Sequence, residues 1–350
     1  YELKIRKLAY TDSLTGLPNR LRLEKDVNKY IKSGKDFASL IFIDLDNFKF
    51  VNDTFGHFFG DSLLQSVAEK ILEVTDKCNT VARLGGDEFA VFLTEINNEN
   101  SIIEYVKKLI NVLDMEICKH GILFNISVSI GISIYPFHGQ NFEELLKNAD
   151  TAMYKSKEAG KKRYTVFDKH MNYQLYERMS MESNLRNAIE NKELLLYYQP
   201  HYDLKKGKIL GFEVLVRWDS PIHGFVSPER FISLAEERGI IIPIGNWILK
   251  EACNFLNQLY SKGYTNLFIS VNVSVYQIMQ DNFVEDVLSI INEAGIKKEF
   301  IELEITESIL MKDIQSIIEK IRLLRENGIS IALDDFGTGY SSLTYLKKLP

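Results

Sequence analysis

Residues 83–93 read RLGGDEFAVFL, and this stretch does most to limit how the first half of the chain can fold. Two β-prone runs, 80–84 and 89–93, flank Gly85 and Gly86. A glycine pair adopts positive φ without steric cost, so the stretch predicts a tight hairpin. A plain hairpin has no use for Asp87 and Glu88, because acidic residues are poor strand formers and these two stand where the chain re-enters a sheet. Taken alone, a solvated turn with incidental charge explains them equally well. The surrounding sequence decides between the two readings.

A chain of 350 residues has room for about two domains. Its net charge of −6 argues against a broad basic surface, so neither nucleic acid nor anionic lipid is an expected partner. Substrate phosphates would therefore be met by a few local cations or by a metal. Cys78, Cys118 and Cys253 are far apart and lack zinc-like spacing, which fits a reducing cytoplasm. No segment is long and apolar enough to cross a membrane; 239–249 comes nearest and is interrupted by Pro243 and Asn246. Because the sequence starts at Tyr1 rather than Met, an upstream region, sensory or membrane-anchoring, is expected.

In the first half, 1–9 has the spacing of an incoming helix, and 12–20 (DSLTGLPNR) turns at Gly16 and Pro18 into a helix over 20–31 capped by Asn19. A buried-type strand over 37–44 ends in carboxylates. The stretch 44–64 then carries more polar chemistry than a loop requires: Asp44, Asp46, Lys49, Asn52, Asp53 and Asp61, punctuated by Gly56 and Gly60. A helix over 61–74, the hairpin, a helix over 100–115, a strand over 124–134 and a helix over 142–158 complete an α+β layout. A strand ending at Asp44 and a hairpin delivering Asp87 bring two carboxylates to one sheet edge. They repel unless a divalent cation lies between them, and magnesium with two carboxylates and substrate phosphates suits nucleotidyl transfer. Lys49, Lys157 and Lys161 are the cations assigned to phosphate.

DSLTGLPNR, DLDNFKFVNDTFGHFFGD, RLGGDEF, SVSIGIS and ADTAMYKSKEAGKKR, in this order, resemble the GGDEF family of diguanylate cyclases over roughly 9–168. The resemblance implies a palm-like fold that condenses two GTP into cyclic di-GMP. By position it implies that Asp44 and Asp87 hold magnesium (or manganese) with the Leu45 carbonyl, and that Asp87, followed by Glu88, lies where the 3′-hydroxyl is activated. Asn52 and Asp61 match guanine readers, Gly85 and Gly86 admit phosphates close to the backbone, and Lys157 with Lys161 matches a triphosphate clamp. Lys161 stands where the family usually has arginine, which keeps the charge without the bidentate fork. The family's product-inhibition motif, Arg-x-x-Asp, is replaced by Asp76-Lys77-Cys78-Asn79, so feedback through that site is not expected. Each half-site takes one GTP, so the reaction implies a homodimer.

The second half begins with a connector, 166–193, holding a helix over 181–191. A strand over 194–200 pairs with 209–218, and helices over 228–238, 246–262, 283–294 and 314–327 alternate with strands over 267–273, 301–305 and 330–333. Repeated β-then-α order predicts a parallel sheet, open or barrel. Polar residues end the strands: Glu213, Asn272, Glu304 and the pair Asp334-Asp335. In a barrel these ends share the rim where active sites lie, and several oxygen ligands there suggest a magnesium or manganese site for phosphate-ester hydrolysis.

GFEVLVRW, SVNVS, LEIT and ALDDFGTGYSSL, with YYQP and FVSPERFI, resemble the EAL family of cyclic-di-GMP phosphodiesterases over roughly 181–350. The resemblance implies that Glu213, Asn272, Glu304 and Asp334 are metal ligands and that Asp335 lies at a second metal. It also implies that Gln199 and Arg217 contact substrate and that Glu307 steadies the following loop. Val214 replaces the signature alanine, and the ligand before it survives. The family continues past the equivalent of Pro350, so the barrel is expected to be incomplete here, cut from a longer protein. The expected architecture is thus an α+β palm-like GGDEF domain followed by a partial α/β TIM-barrel-type EAL domain: 1–9 incoming helix, 10–168, linker 169–180, and 181–350. The expected function is cyclic-di-GMP turnover on GTP and cyclic di-GMP. The alternative is a nucleotide-binding signalling receptor in which one domain is inactive and regulates the other.

Overall fold

The computed structural model describes residues 9–96, 98–119, 122–306 and 314–334, so the expected incoming helix falls almost wholly outside the described residues. The chain divides into two compact units, Tyr1–Glu177 and Arg178–Pro350. Among the described residues no helix is long and apolar enough to cross a membrane.

In chain order the first unit runs α1 (Arg20–Lys32), β1 (Ala38–Leu45), α2 (Phe48–Phe55), α3 (His57–Val74), β2 (Thr80–Gly85), β3 (Glu88–Leu93), α4 (Glu99–Leu113), β4 (Met115–Lys119), β5 (Ile122–Ile126), β6 (Val128–Tyr135), α5 (Phe142–Glu158) and β7 (Arg163–Val166). Its sheet has the order β2-β3-β1-β6-β7, with β1 antiparallel to both neighbours and β7 parallel to β6. Every residue of β1 is buried, which is why its centre, 40–43 (LIFI), is apolar without alternation: helices cover both faces. On one face Leu40 and Phe42 pack with Leu23 and Val27 of α1 and with Leu145 and Ala149 of α5. On the other, Ile41, Ile43 and Leu45 join Leu64 and Val67 of α3 and Ile102 and Val106 of α4. Side chains alternate along a strand, so Asp44 falls on the face of Leu40 and Phe42, the one that α5 covers.

The strand expected over 124–134 is two strands; β5 turns away from the main sheet to pair with β4. Neither α2 nor β7 was expected. α2 is eight residues long in a polar stretch, too short for helical periodicity to register, and Gly56 ends it at φ +84. Helix α5 and strand β6 lie close together at Gly131. A Cβ added there would stand 1.9 Å from the Ala149 carbonyl oxygen and 2.2 Å from Met153 N. Ser133 Oγ donates to the Leu145 carbonyl at 2.8 Å and Ser156 Oγ to the Ile130 carbonyl at 2.7 Å, so buried hydroxyls tie the helix to the strand.

Helix α6 (Lys169–Asn187) contains the division between the units. It replaces the polar connector and later helix expected from sequence; with Met181 and Leu185 as its buried residues, its apolar pattern is too sparse to reveal it. The second unit continues with β8 (Leu194–Asp203), β9 (Lys208–Ser220), β10 (Gly224–Val226), α7 (Pro228–Glu237), α8 (Ile241–Ser261), β11 (Phe268–Val273), α9 (Val275–Ile278), α10 (Phe283–Ala294), β12 (Ile301–Thr306), α11 (Ile314–Glu326) and β13 (Ser330–Asp334). Helix α8 starts before Pro243, not after it, because a proline in the first turn gives up an N–H that has no intrahelical partner. β8 and β9 form an antiparallel hairpin, and β9, β11, β12 and β13 follow as parallel neighbours.

The parallel strands alternate sharply. Val214, Val216, Trp218, Ile269, Val271, Leu303 and Ile305 are buried in one core under the helices. The opposite face carries Glu213, Ser270, Asn272, Glu304, Thr306 and Asp334, as the strand register requires.

Gly131→Ala is expected to destabilise the first unit by about 3 kcal/mol or more, because the atoms it meets are backbone and cannot rotate away. Ser133→Ala, which removes a buried bridging hydrogen bond while the helix keeps its own, should cost about 1 kcal/mol. Urea unfolding followed at the first unit separates the two; a Gly131→Ala protein as stable as its parent would mean that α5 rides higher over the strand.

Candidate functional site

Three segments meet at the end of β1. Asp44 and Glu88 are register partners across the β1–β3 ladder, so their side chains leave the same face. Leu45 N donates to the Asp87 carbonyl at 3.3 Å, which sets Asp87 beside them. From the last turn of α5, Lys157 places Nζ 2.7 Å from Asp44 Oδ1. That ammonium is in direct contact with the buried carboxylate and opposes the effect of its burial. Burial drives the Asp44 carboxyl up to about 6, with Lys157 opposing and the charges of Asp87 and Glu88 adding to it. The Glu88 carboxyl is raised too, by burial first and then by Asp150 and Asp87, against Lys157 and Arg20.

Carboxylates this poorly neutralised favour a cation, and the donors on offer are all oxygen: Asp44, Asp87, Glu88 and the Leu45 carbonyl. That set suits a hard divalent ion such as magnesium or manganese. Among the described residues no three acidic, histidine or cysteine side chains form a ready metal cage.

Asp46, which the sequence offers as one more acid of this cluster, does something else. It is 2% exposed and accepts from Ser127 Oγ at 2.6 Å, Ser129 Oγ at 2.7 Å and Lys162 N at 3.2 Å. It thereby pins the start of β6 and the loop at 160–162 to the end of β1. On that loop Lys161 holds φ +61 and its Nζ donates to Asn47 Oδ1 at 2.7 Å. Lys157 and Lys161 thus both stand at this end of the sheet, whereas Lys49 is exposed on α2 outside the Asp44–Lys157 pair.

Gly85 and Gly86 take φ values of +145 and +52. Arg83 clamps their turn: Nε and Nη2 donate to the Gly86 carbonyl at 3.1 and 2.7 Å, while Nη1 reaches both oxygens of Asp12 at 3.0 and 3.2 Å. Partial burial alone would raise the Asp12 carboxyl; hydrogen bonds from Thr15 and Arg83 hold it below its usual range. This brace joins residues 71 positions apart, and nothing local in the sequence announces it. The two expected guanine readers lie on successive helices: Asn52 on α2 with a buried, unpartnered Oδ1, and Asp61 exposed on α3. The replaced inhibition motif at 76–79 borders a separate open cavity of about 930 Å³ with Arg22 and Lys25, and Arg22 is already paired with Asp26 at 3.0 Å.

In the second unit, register sets Glu213 beside Ser270, Asn272 beside Glu304, and Thr306 beside Asp334. The four expected ligands Glu213, Asn272, Glu304 and Asp334 therefore share the polar face, toward the C-terminal ends of parallel strands. Asn272 Nδ2 donates to Glu213 Oε1 at 3.0 Å. Glu304 is 8% exposed; burial raises its carboxyl, a hydrogen bond from Ser270 opposes, and Glu213, Asp334 and Glu302 add to the rise. Here too the charge deficit and the oxygen donors fit a divalent ion. Gln199 is the register partner of Glu213, and the Arg217 guanidinium lies 5.4 Å from the Tyr197 ring centre. Ser270, which also contacts His201 Nε2 at 3.2 Å, was not anticipated, since a serine inside an apolar strand carries no charge to notice. Asp335 and Glu307 lie outside the described residues.

Residues 9–163 match the family model "Diguanylate cyclase, GGDEF domain", and residues 182–350 match "EAL domain". Over 350 residues the chain is 40% identical to the bifunctional diguanylate cyclase/cyclic di-GMP phosphodiesterase MucR of Pseudomonas aeruginosa, an alignment covering 98% of this chain and 50% of that protein. It is 36% identical to the cyclic di-GMP phosphodiesterase PdeR of Escherichia coli, covering 99% and 52%. A solved structure of Vibrio cholerae LapD, S helix-GGDEF-EAL bound to c-di-GMP, shares the fold at 16% identity with a TM-score of 0.52, covering 99% of this chain and 82% of that one. The chain spans about half the length of the curated relatives it matches.

Asp44→Asn imitates the protonated carboxyl, so the raised value makes a signed forecast. The folded value near 6 lies above the ordinary 3.8, so ionisation opposes folding: the penalty is absent below 3.8, grows between 3.8 and 6, and is complete above. With metal chelated, the variant should be more stable than the parent at pH 8, by up to about 3 kcal/mol, and the gap should close as pH falls toward 4. A variant less stable at pH 8 would mean that the Lys157 pair outweighs burial.

Proposed function

The chain belongs to the tandem GGDEF–EAL proteins of cyclic-di-GMP turnover, and from that premise we propose that its first unit is a diguanylate cyclase and its second a cyclic-di-GMP phosphodiesterase. The observation that carries the first assignment is the buried, under-neutralised Asp44 carboxyl beside Asp87 and Glu88, at the foot of an intact glycine turn. In the cyclase reaction the 3′-hydroxyl of one GTP attacks the α-phosphorus of another. A P–O3′ bond forms as the bond to pyrophosphate breaks, and the partner repeats the step to close the ring.

Asp87 holds the attacking hydroxyl and takes its proton, with Glu88 shaping the local charge. Gly85 and Gly86 let the backbone approach the phosphates, while Lys157 and Lys161 receive the β- and γ-phosphates. Lys49, at the edge, adds positive potential. Asn52 and Asp61 read the guanine: an amide suits the O6 acceptor, and a carboxylate suits the N1–H and N2–H donors. A divalent ion held by Asp44, Asp87 and the Leu45 carbonyl, magnesium or manganese, supplies charge stabilisation at the phosphates when bound. One unit holds one GTP, so catalysis requires two copies face to face.

The second unit, when its barrel is complete, hydrolyses one phosphodiester of cyclic di-GMP. A water oxygen bonds to phosphorus as the P–O3′ bond breaks and the 3′-oxygen takes a proton, giving linear pGpG. Glu213, Asn272, Glu304 and Asp334, with Asp335, hold its metal; Gln199 and Arg217 position substrate; and Glu307 steadies the adjoining loop. Supporting this are the shared polar face and the raised Glu304 carboxyl. Both substrates belong to the cytoplasm, and regulation by an upstream sensory region suits an enzyme pair with opposed outputs.

Chromatography of nucleotides after incubating the whole chain with GTP and magnesium tests the cyclase directly. Cyclic di-GMP should accumulate, and Asp87→Ala should cut synthesis by roughly 100-fold or more. Full synthesis by that variant would end the assignment. Glu213→Gln should leave synthesis intact and, in a protein whose barrel is complete, abolish loss of added cyclic di-GMP. Tight GTP binding with no product from the unaltered chain would favour the receptor reading instead.

A further inference from the structure

Gly60 lies inside α3, where glycine costs a helix about 1 kcal/mol relative to alanine. It is not among the residues of positive φ, so backbone conformation does not account for it. Space does. A Cβ added at Gly60 would stand 1.9 Å from Asn52 Oδ1, 3.1 Å from Asn52 Cγ and 3.2 Å from Phe48 Cζ. The Asn52 side chain, projecting from α2, occupies the volume that any other residue at position 60 would fill. Its Oδ1 is buried there without a hydrogen-bond partner.

The orientation of that amide follows from what faces it. The Cα–H of Gly60 is a weak donor and offers nothing to an N–H, so the oxygen belongs against the glycine. Nδ2 then points the other way. We propose that Gly60 is the positioning residue that fixes the Asn52 amide, and through it the purine that the first unit accepts. With the NH2 group presented, the site takes a purine carrying an acceptor at C6, as guanine and hypoxanthine do. It refuses adenine, whose C6 amino group is a donor. The purine half of this inference rests on the reading of Asn52 as a nucleobase contact; the packing half does not.

A double-substitution cycle on the whole chain separates the halves. Amide hydrogen exchange along α3 reports the local packing whatever the second unit does. Gly60→Ala should speed exchange there about tenfold or more. In an Asn52→Ala background the same change should have little effect or slow exchange, because alanine then keeps its helix advantage and only Phe48 must yield. Equal acceleration in both backgrounds would overturn the proposal. In the same proteins Gly60→Ala should raise the KM for GTP roughly tenfold and narrow the preference for GTP over ATP, with no further loss once Asn52→Ala is present. Coupled exchange with an unmoved KM would overturn the purine assignment and leave the packing role standing.

Discussion

A carboxylate at the end of a strand that is buried on both faces is the constraint on which the first unit turns. β1 is covered by α1 and α5 on one side and by α3 and α4 on the other, so its polar terminus has little water to lean on. Asp44 is left with one ammonium in contact and two further acids nearby. The nearby polar devices serve that tension. Asp46 ties the neighbouring loops with three hydrogen bonds, and Arg83 bridges the glycine turn to Asp12. Together they hold a cluster that would relax apart if left to itself.

The second unit meets the same electrostatic problem by a different route. Its parallel strands bury one face and keep the other polar, so the acids arise from alternation rather than from a strand terminus. The rise at Glu304 comes from burial and from the like charges of Glu213, Asp334 and Glu302, with Ser270 as the moderating donor. In both units burial is the largest cause that holds a carboxyl above its ordinary range, with neighbouring acids adding to it.

What could be read from the sequence had local causes. The glycine pair between β-prone runs announced the β2–β3 hairpin, and the apolar LIFI at 40–43 announced β1. The alternation of strand and helix announced the parallel sheet. What could not be read had distant causes or weak periods: α2 is too short, α6 too polar, and the β4–β5 hairpin too similar to a continuation of β6. The roles of Asp46, Arg83 and Gly60 depend on partners brought close only by folding. An acid in a run of acids, an arginine before a turn and a glycine in a helix each had a blander explanation in one dimension.

The polar face of the second unit has a consequence for the order of events during synthesis. Glu213, Asn272, Glu304 and Asp334 emerge from the ribosome one strand at a time, each on a different strand of the sheet. If these four hold a divalent ion as proposed, a strand not yet docked would contribute no oxygen to it. Tight capture of a cation would then mark that β9, β11, β12 and β13 have all found their neighbours.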